Sequence, residues 1–439
     1  MRRARVRPER AAALAALTLA LGSSIAGAAD PPLSGIERPG TEPDDGPRAL
    51  GATLLWPLRR GVELIYQASE AAAGLVESQQ IVPRARDLII ARDGSIGLFP
   101  TFSIASGLRP MPGARMLSSS ENVGTTLSGA WAGVDDYVTE ARVRFTGSIP
   151  VPAVISIEGL HDRRSGLGFG GIGMSPSTDP RNHFVGEAGS ASYREARERF
   201  LTSLGLRPSG DLELFLSSSF TERTMEDDRD GRGPTLSDVF SPESRIGSYR
   251  RTRLVYSELD LRLDTRPDRA RPSPGVLLEG YGGSARGVLG EETRFVRAGL
   301  RAAAFAPVHR KTNVLSPKLV LDGISRIKGD LPFEELVSPG EYRGVGGVRD
   351  RVALVASLDY RWQVSRIVAA RLFFDSARVA PALDELPRTP FRWAVGGGAD
   401  LSSASAELGR VGLAVGPDGV AFLLSFGVPS PFGDRQHRD

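Results

Sequence analysis

Cysteine is absent from all 439 residues. That excludes a disulfide framework, a thiolate metal site and a cysteine nucleophile. Histidine is scarce: His161, His183, His309 and His437 are the only four, and none is spaced from another as metal ligands are. None accompanies a recognisable serine nucleophile motif, so no enzyme activity, catalytic residue, metal or cofactor is expected. Long hydrophobic runs are missing beyond the N-terminus, and mean hydropathy is −0.15. Any membrane crossing therefore has to be made by strands. A large excess of one charge is lacking too. The formal net charge of +3 includes a strongly basic N-terminal stretch, which leaves the rest near neutrality and without a nucleic-acid signature.

The N-terminal stretch carries Arg2, Arg3, Arg5, Arg7 and Arg10, then an apolar run from Ala11 to Leu21, then Ala26-Gly27-Ala28. This is the pattern of a secretory signal peptide over residues 1–28, cleaved after the small-residue site. An uncleaved anchor is the alternative, but the run is shorter than the roughly 18 residues a spanning helix needs. Residues 29–94 read as a periplasmic linker. Its first part, Pro31 to Arg48, is rich in Pro, Gly and Asp, whereas Leu58, Val62, Ile65, Ala68, Ala72 and Leu75 recur at helical spacing. One short amphipathic helix is expected there, on the membrane surface, in the barrel mouth or packed on its rim.

After Asp93-Gly94 the pattern changes to period two. Tyr137, Ala141, Val143 and Phe145 alternate with Glu140, Arg142 and Arg144. Leu259, Leu261 and Leu263 alternate with Glu258, Asp260, Arg262 and Asp264. Val352, Leu354, Ala356, Leu358, Tyr360 and Trp362 alternate with Arg351, Ser357, Asp359 and Arg361, and Lys318, Asp322 and Arg326 mark another polar face. These segments last about ten to fourteen residues, longer than sandwich strands and as long as tilted transmembrane strands. Aromatics near segment ends, at Phe99, Trp131, Tyr360, Trp362 and Trp393, suit an interfacial girdle. Sixteen strands can be placed, starting near Ser95, Gly113, Asn122, Asp136, Pro152, Ala191, Asp211, Tyr249, Gly275, Thr293, Asn313, Arg351, Arg366, Phe391, Ala406 and Gly419. The fold expected is all-β: a transmembrane antiparallel barrel over residues 95–432 with a short extension at 433–439. The long connections, Arg163 to Ser190, Asp228 to Ser248, Asp330 to Asp350 and Ala380 to Thr389, all follow odd-numbered strands, so they share one end of the barrel.

The C-terminal third carries Leu331-Pro332-Phe333-Glu334, Ser338-Pro339-Gly340, Tyr342-Arg343-Gly344, Arg349-Asp350-Arg351, Leu358-Asp359-Tyr360-Arg361-Trp362, Phe373-Phe374-Asp375-Ser376 and a last strand with Phe422, Leu424 and Phe426. In this order they resemble the bacterial surface antigen superfamily, which contains the BamA and TamA insertases and the two-partner-secretion translocases. The resemblance implies that Arg343 and Gly344 sit on a loop folded back into the lumen, that Arg343 meets Asp375 on the wall, and that Phe422, Leu424 and Phe426 belong to the closing strand. It further implies work in outer-membrane biogenesis or in protein or lipid translocation, at a weakly paired seam between first and last strands. Two features depart from the family. The family's longer spacer after the Arg-Gly pair is here cut to Val345-Gly346-Gly347-Val348, and residues 29–94 do not resemble the periplasmic POTRA domains. The expected location is the outer membrane. The expected partners are its lipid and lipopolysaccharide, and a periplasmic or surface protein client.

Glu258, Asp260, Arg262, Asp322, Arg326, Asp359 and Arg371 are the charges expected to line the lumen. A passive channel is the competing class, in which Asp260, Arg262, Asp322 and Arg326 would tune selectivity in an open lumen; a surface adhesin is a third. Two weaker motifs are discounted. Gly166-Leu167-Gly168-Phe169-Gly170-Gly171 matches a dinucleotide fingerprint without the following helix. Glu226 to Gly231 resembles the start of a calcium loop, but Ser237 stands where a glutamate is needed.

Overall fold

The computed structural model describes residues 96–103, 111–185, 189–229, 233–242, 251–268, 273–308, 312–345, 347–365, 368–402 and 407–426. The segments expected to be a signal peptide, a linker with a short helix and a C-terminal extension lie outside these residues. Sixteen antiparallel strands follow one another in a single sheet, each hydrogen-bonded to the next: β1 Ile96–Ser103, β2 Met111–Ser119, β3 Val123–Gly133, β4 Asp136–Ile149, β5 Val151–Phe169, β6 Ala191–Leu206, β7 Leu212–Asp227, β8 Thr252–Asp264, β9 Gly275–Gly287, β10 Arg294–Pro307, β11 Asn313–Lys328, β12 Val352–Gln363, β13 Val368–Ala380, β14 Arg392–Ser402, β15 Glu407–Gly416 and β16 Gly419–Phe426. The sheet curls into a transmembrane barrel, with β1 near β16 but no ladder between them among the described residues. Among those residues no helix is long and apolar enough to cross a membrane.

The period-two pattern decides which way each side chain points, because successive Cβ atoms of a strand lie on opposite faces. On β8, Glu258, Asp260 and Arg262 are buried inside, whereas Leu259 and Leu261 are about half exposed on the outer wall. On β12, Ala353, Val355, Ser357 and Asp359 point in and Leu358 points out. Outward Leu, Val, Ile and Phe side chains that water would penalise are satisfied by lipid. Leu259→Arg, near the middle of the outward face of β8, should therefore cost roughly 2–4 kcal/mol in lipid vesicles. Urea unfolding in vesicles checks this, and an unchanged midpoint would mean that this face does not contact hydrocarbon.

The girdle is present in part. Trp131 and Trp393 are exposed at the ends of β3 and β14 nearest the long loops, and Tyr360 stacks on Trp362, ring centroids 5.3 Å apart, at the opposite end of β12. The side chain of Phe99 lies outside the described set. Strand lengths differ from expectation: β5 has 19 residues and β6 and β7 have 16 each. Their extra turns rise beyond the apolar band, where the outward positions become Arg163, Arg194 and Glu222 and backbone pairing continues in solvent.

Three connections on the long-loop end pack into a cap: loop 3 between β5 and β6, loop 4 between β7 and β8, and loop 6 between β11 and β12. Loop 4 holds a four-residue helix, α1 Leu236–Val239, closed by a capping box in which Thr235 and Asp238 bond each other. Leu236, Val239 and Phe240 are fully buried against Phe169, Tyr193, Met225 and Phe333. Phe333 of loop 6 stacks on Phe169 at 4.1 Å and meets Tyr193 edge-on at 5.7 Å. Such aromatic pairs contribute about 0.5–1.5 kcal/mol each beyond area burial.

The glycine run of loop 3 has a structural role in this cap. Gly171 has φ +95°, and a Cβ there would meet the Asn182 carboxamide at 2.6 Å. That carboxamide accepts from Ile172 N at 2.7 Å and donates to the Ile172 and Pro176 carbonyls at 3.1 and 2.7 Å. The turn needs glycine to wrap around Asn182.

Candidate functional site

Loop 6 leaves β11 at Gly329, contributes Phe333 to the cap and then narrows to a neck. Val337 and Asp350 exchange backbone hydrogen bonds of 2.9 and 3.0 Å. Loop 3 clamps this neck from outside: Arg181 donates from Nη1 and Nη2 to the two oxygens of buried Asp350 at 3.0 and 2.7 Å, and Gly173 N donates to Arg349 O at 3.0 Å. A two-pronged guanidinium–carboxylate pair fixes direction as well as distance. Beyond the neck, the chain descends into the lumen.

At the tip, Arg343 is held from two strands. Its Nε and Nη2 donate to Asp375 of β13 at 2.8 and 2.5 Å, its Nη1 and Nη2 donate to Asp359 of β12 at 2.6 and 3.1 Å, and its backbone N–H donates to Asp375 at 3.0 Å. The guanidinium carbon lies 3.7 Å from the centroid of the Phe373 ring. Ser357 and Phe373 pair opposite Asp375 and Asp359 respectively, so the two carboxylates are diagonal neighbours on the inner wall. Asp375 is fully buried. Gly344 does not need a left-handed backbone. Its hydrogen leaves room for the Tyr342 ring, which a Cβ would strike, and the Tyr342 hydroxyl donates to Trp393 O of β14 at 2.8 Å.

The same tip also bonds the two strands that precede β12. Glu341 accepts from Arg301 of β10 at 2.9 Å and from Lys318 of β11 at 2.6 Å. Burial acts to raise its carboxyl, but Lys318 and Arg301 outweigh that and hold it at about 2. From Glu341 an ion-pair chain runs around the inner wall. Arg301 meets Glu279 at 3.2 Å, Glu279 meets Arg262 at 2.9 Å, Arg262 meets Glu213 at 3.3 Å, and Glu213 meets Arg207 at 2.7 Å. Val345 packs with Phe373, Ala414, Ala421 and Leu423, which ties the tip to β15 and β16. One loop tip thus touches the wall from β10 to β16.

No protein-family model matches the sequence, and no curated protein matches it. Among solved structures, BamA from Haemophilus ducreyi lacking POTRA domains 1–3 superposes with a TM-score of 0.53 and 13% identity, over 75% of this chain and 68% of that one. This chain shares the fold of the BamA barrel. CdiB from Acinetobacter baumannii superposes with a TM-score of 0.44 and 10% identity, over 75% of this chain and 59% of that one.

The charged residues read from the sequence take different places in this BamA-like barrel. Glu258, Asp260, Arg262, Asp359 and Arg371 are buried on the inner wall, and Asp322 faces inward, accepting from the Tyr281 hydroxyl at 2.5 Å. Glu258 accepts from Tyr256 at 2.6 Å. Arg371 lies 4.0 Å from Asp359 and 3.6 Å from Asp400, which also takes Arg361 and Arg410 at 2.8 and 3.1 Å. Arg326 does not line the lumen. It shares the parity of Asp322, but β11 has by then risen past β12, and it stands half exposed at the rim, 4.0 Å from Asp330. On β16, Phe422 is exposed on the outer wall and Leu424 is half-buried, paired opposite Leu413 and Val411, and Phe426 ends the strand. Among the described residues no group of three or more His, Asp or Glu could hold a metal ion.

Sequence reasoning named Arg343, Gly344 and Asp375 but missed the second carboxylate, the Phe373 ring and the Glu341 contacts. Asp359 was legible as an inward charge. Its pairing with Arg343 needed the β12–β13 register, which period two alone does not supply.

Proposed function

We propose that this BamA-like barrel acts in the outer membrane, in outer-membrane biogenesis or in moving protein or lipid across that membrane, with loop 6 as its internal brace and the β1–β16 seam as the element that opens. The proposal assigns the chain no chemical reaction. Its partners on this reading are outer-membrane lipid, lipopolysaccharide included, and a protein client or partner at the periplasmic or outer surface, with no nucleic acid. The observation that carries it is the loop 6 tip, held mid-lumen by Arg343 between Asp359 and Asp375. A brace that grips β10 to β16 from inside lets the last strand keep its place while its outer edge stays unpaired, and an unpaired strand edge is a template for an incoming strand. A passive channel is less well supported. Arg262, which would tune selectivity in an open lumen, is instead taken up by Glu213 and Glu279.

Conductance in planar bilayers tests the proposal. The wild-type barrel should pass small, flickering currents, and Arg343→Ala, which frees the tip, should pass larger and steadier ones. Large steady currents in both would overturn the braced-lumen reading in favour of a simple porin.

A further inference from the structure

The outer wall carries a second feature that the lumen does not explain. Outward positions on β9 and β10 are apolar or small through the band: Val276, Leu278, Gly280, Gly282 and Ser284 face Ala304, Ala302, Leu300, Ala298 and Val296 across the ladder. At the long-loop end of that band the next outward pair is Arg286 and Arg294, directly opposite one another. Both are exposed, and neither has an acidic partner among the described residues. Across a bulge, Arg294 is also paired with exposed Lys328 of β11. On the other flank Val255 of β8 pairs with Arg286, followed by Arg253 and Arg251, which share Glu222. Lys328 lies 3.4 Å from Glu292, the other acid ion-paired in this group.

Like charges directly opposite on a ladder destabilise it unless an anion lies between them. These lie where the hydrocarbon-facing surface ends, the level at which lipid phosphates sit. Guanidinium pairs bind phosphate oxygens in a fixed, two-pronged geometry, more strongly where water is partly excluded. We infer that Arg286, Arg294 and Lys328 form a clamp for the phosphate of a membrane lipid headgroup, in the leaflet at the long-loop end, with the lipid's acyl chains lying on the β9–β10 wall beneath. The clamp sits on the outer surface and operates whether or not the seam opens.

Native mass spectrometry of the folded chain in neutral detergent, with equimolar phosphatidic acid and phosphatidylcholine, tests this. The wild-type barrel should retain phosphatidic acid at least ~10-fold over phosphatidylcholine, a preference worth about 1.4 kcal/mol. Arg286→Ser/Arg294→Ser should lose that preference while keeping its heat resistance, because the substitution removes a repulsion. Arg286→Lys/Arg294→Lys should keep part of it, and Arg294→Ser alone serves if the double variant does not fold. Equal retention of both lipids by the wild-type barrel overturns the inference. So does complete displacement of phosphatidic acid by millimolar inorganic phosphate, which would make the cluster an anion site indifferent to lipid.

Discussion

Arg343→Ala and Asp375→Ala should each lower the temperature at which the folded barrel loses its compact electrophoretic migration, and the double variant should lose no more than the worse single. The guanidinium is shared between two carboxylates on an inner wall where Asp375 is fully buried. Removing Arg343 leaves Asp359 and Asp375 facing each other without the cation that compensates them. Removing Asp375 leaves the cation with Asp359 alone and strips the Arg343 backbone N–H of its acceptor. Breaking one side of a buried pair typically costs about 3–5 kcal/mol, much of it the cost of the stranded charge. Because that cost disappears when both partners go, the cycle should show strong coupling. Arg343→Lys should fall between, since an ammonium cannot reproduce the fork that reaches both strands. Losses that simply add would mean that Arg343 and Asp375 do not act together.

A second large effect is expected from pH, through Glu334 in the cap. Its carboxylate is buried, with no hydrogen-bond partner on any other residue. Burial pushes it up to about 7, with Arg223 opposing and Glu335 and Glu195 adding to the rise. Arg223 is itself engaged by Glu195 at 3.1 Å and Glu335 at 2.8 Å. The folded value lies above the ordinary 4.5, so the docked cap prefers the neutral acid. Its stability is greatest below about pH 4.5, declines as pH rises towards 7, and changes no further above that. The full difference is on the order of 3 kcal/mol. Glu341 and Asp179 are shifted the other way, so their contributions are lost only in acid below this window. Thermal unfolding at pH 5 and pH 8 should therefore show a loss in the wild-type barrel that Glu334→Gln abolishes, the variant being the more stable at pH 8. An equal pH slope in both proteins would remove Glu334 as the cause.

The strand plan was legible because alternation is local: a residue's neighbours at i±1 and i±2 report its face without knowledge of any other strand. The starts read near Asp136, Ala191, Gly275, Asn313 and Gly419 therefore fall within a residue or two of the observed ones. Arg326 misled because parity tells which face a residue takes but not where along the strand the lumen stops. The cap was invisible for a related reason. Phe169 ends β5, Phe240 and Phe333 come from two loops without periodicity, and no local pattern announces that they pack together.

The sequence by itself determined the all-β barrel, its strand number, the end that bears the long loops and, through resemblance, the residues of the loop tip, because these depend on short-range pattern and on motif order. Only the tertiary structure decided that Arg343 bridges two strands, that Glu341 links the tip to the ion-pair chain on β7 to β10, that the Glu334 side chain of loop 6 is buried, and that Arg286 and Arg294 stand opposed on the outer wall. Each of these is a relation between residues far apart in the chain or on different strands. It is set by ladder register and loop packing, which no single segment encodes.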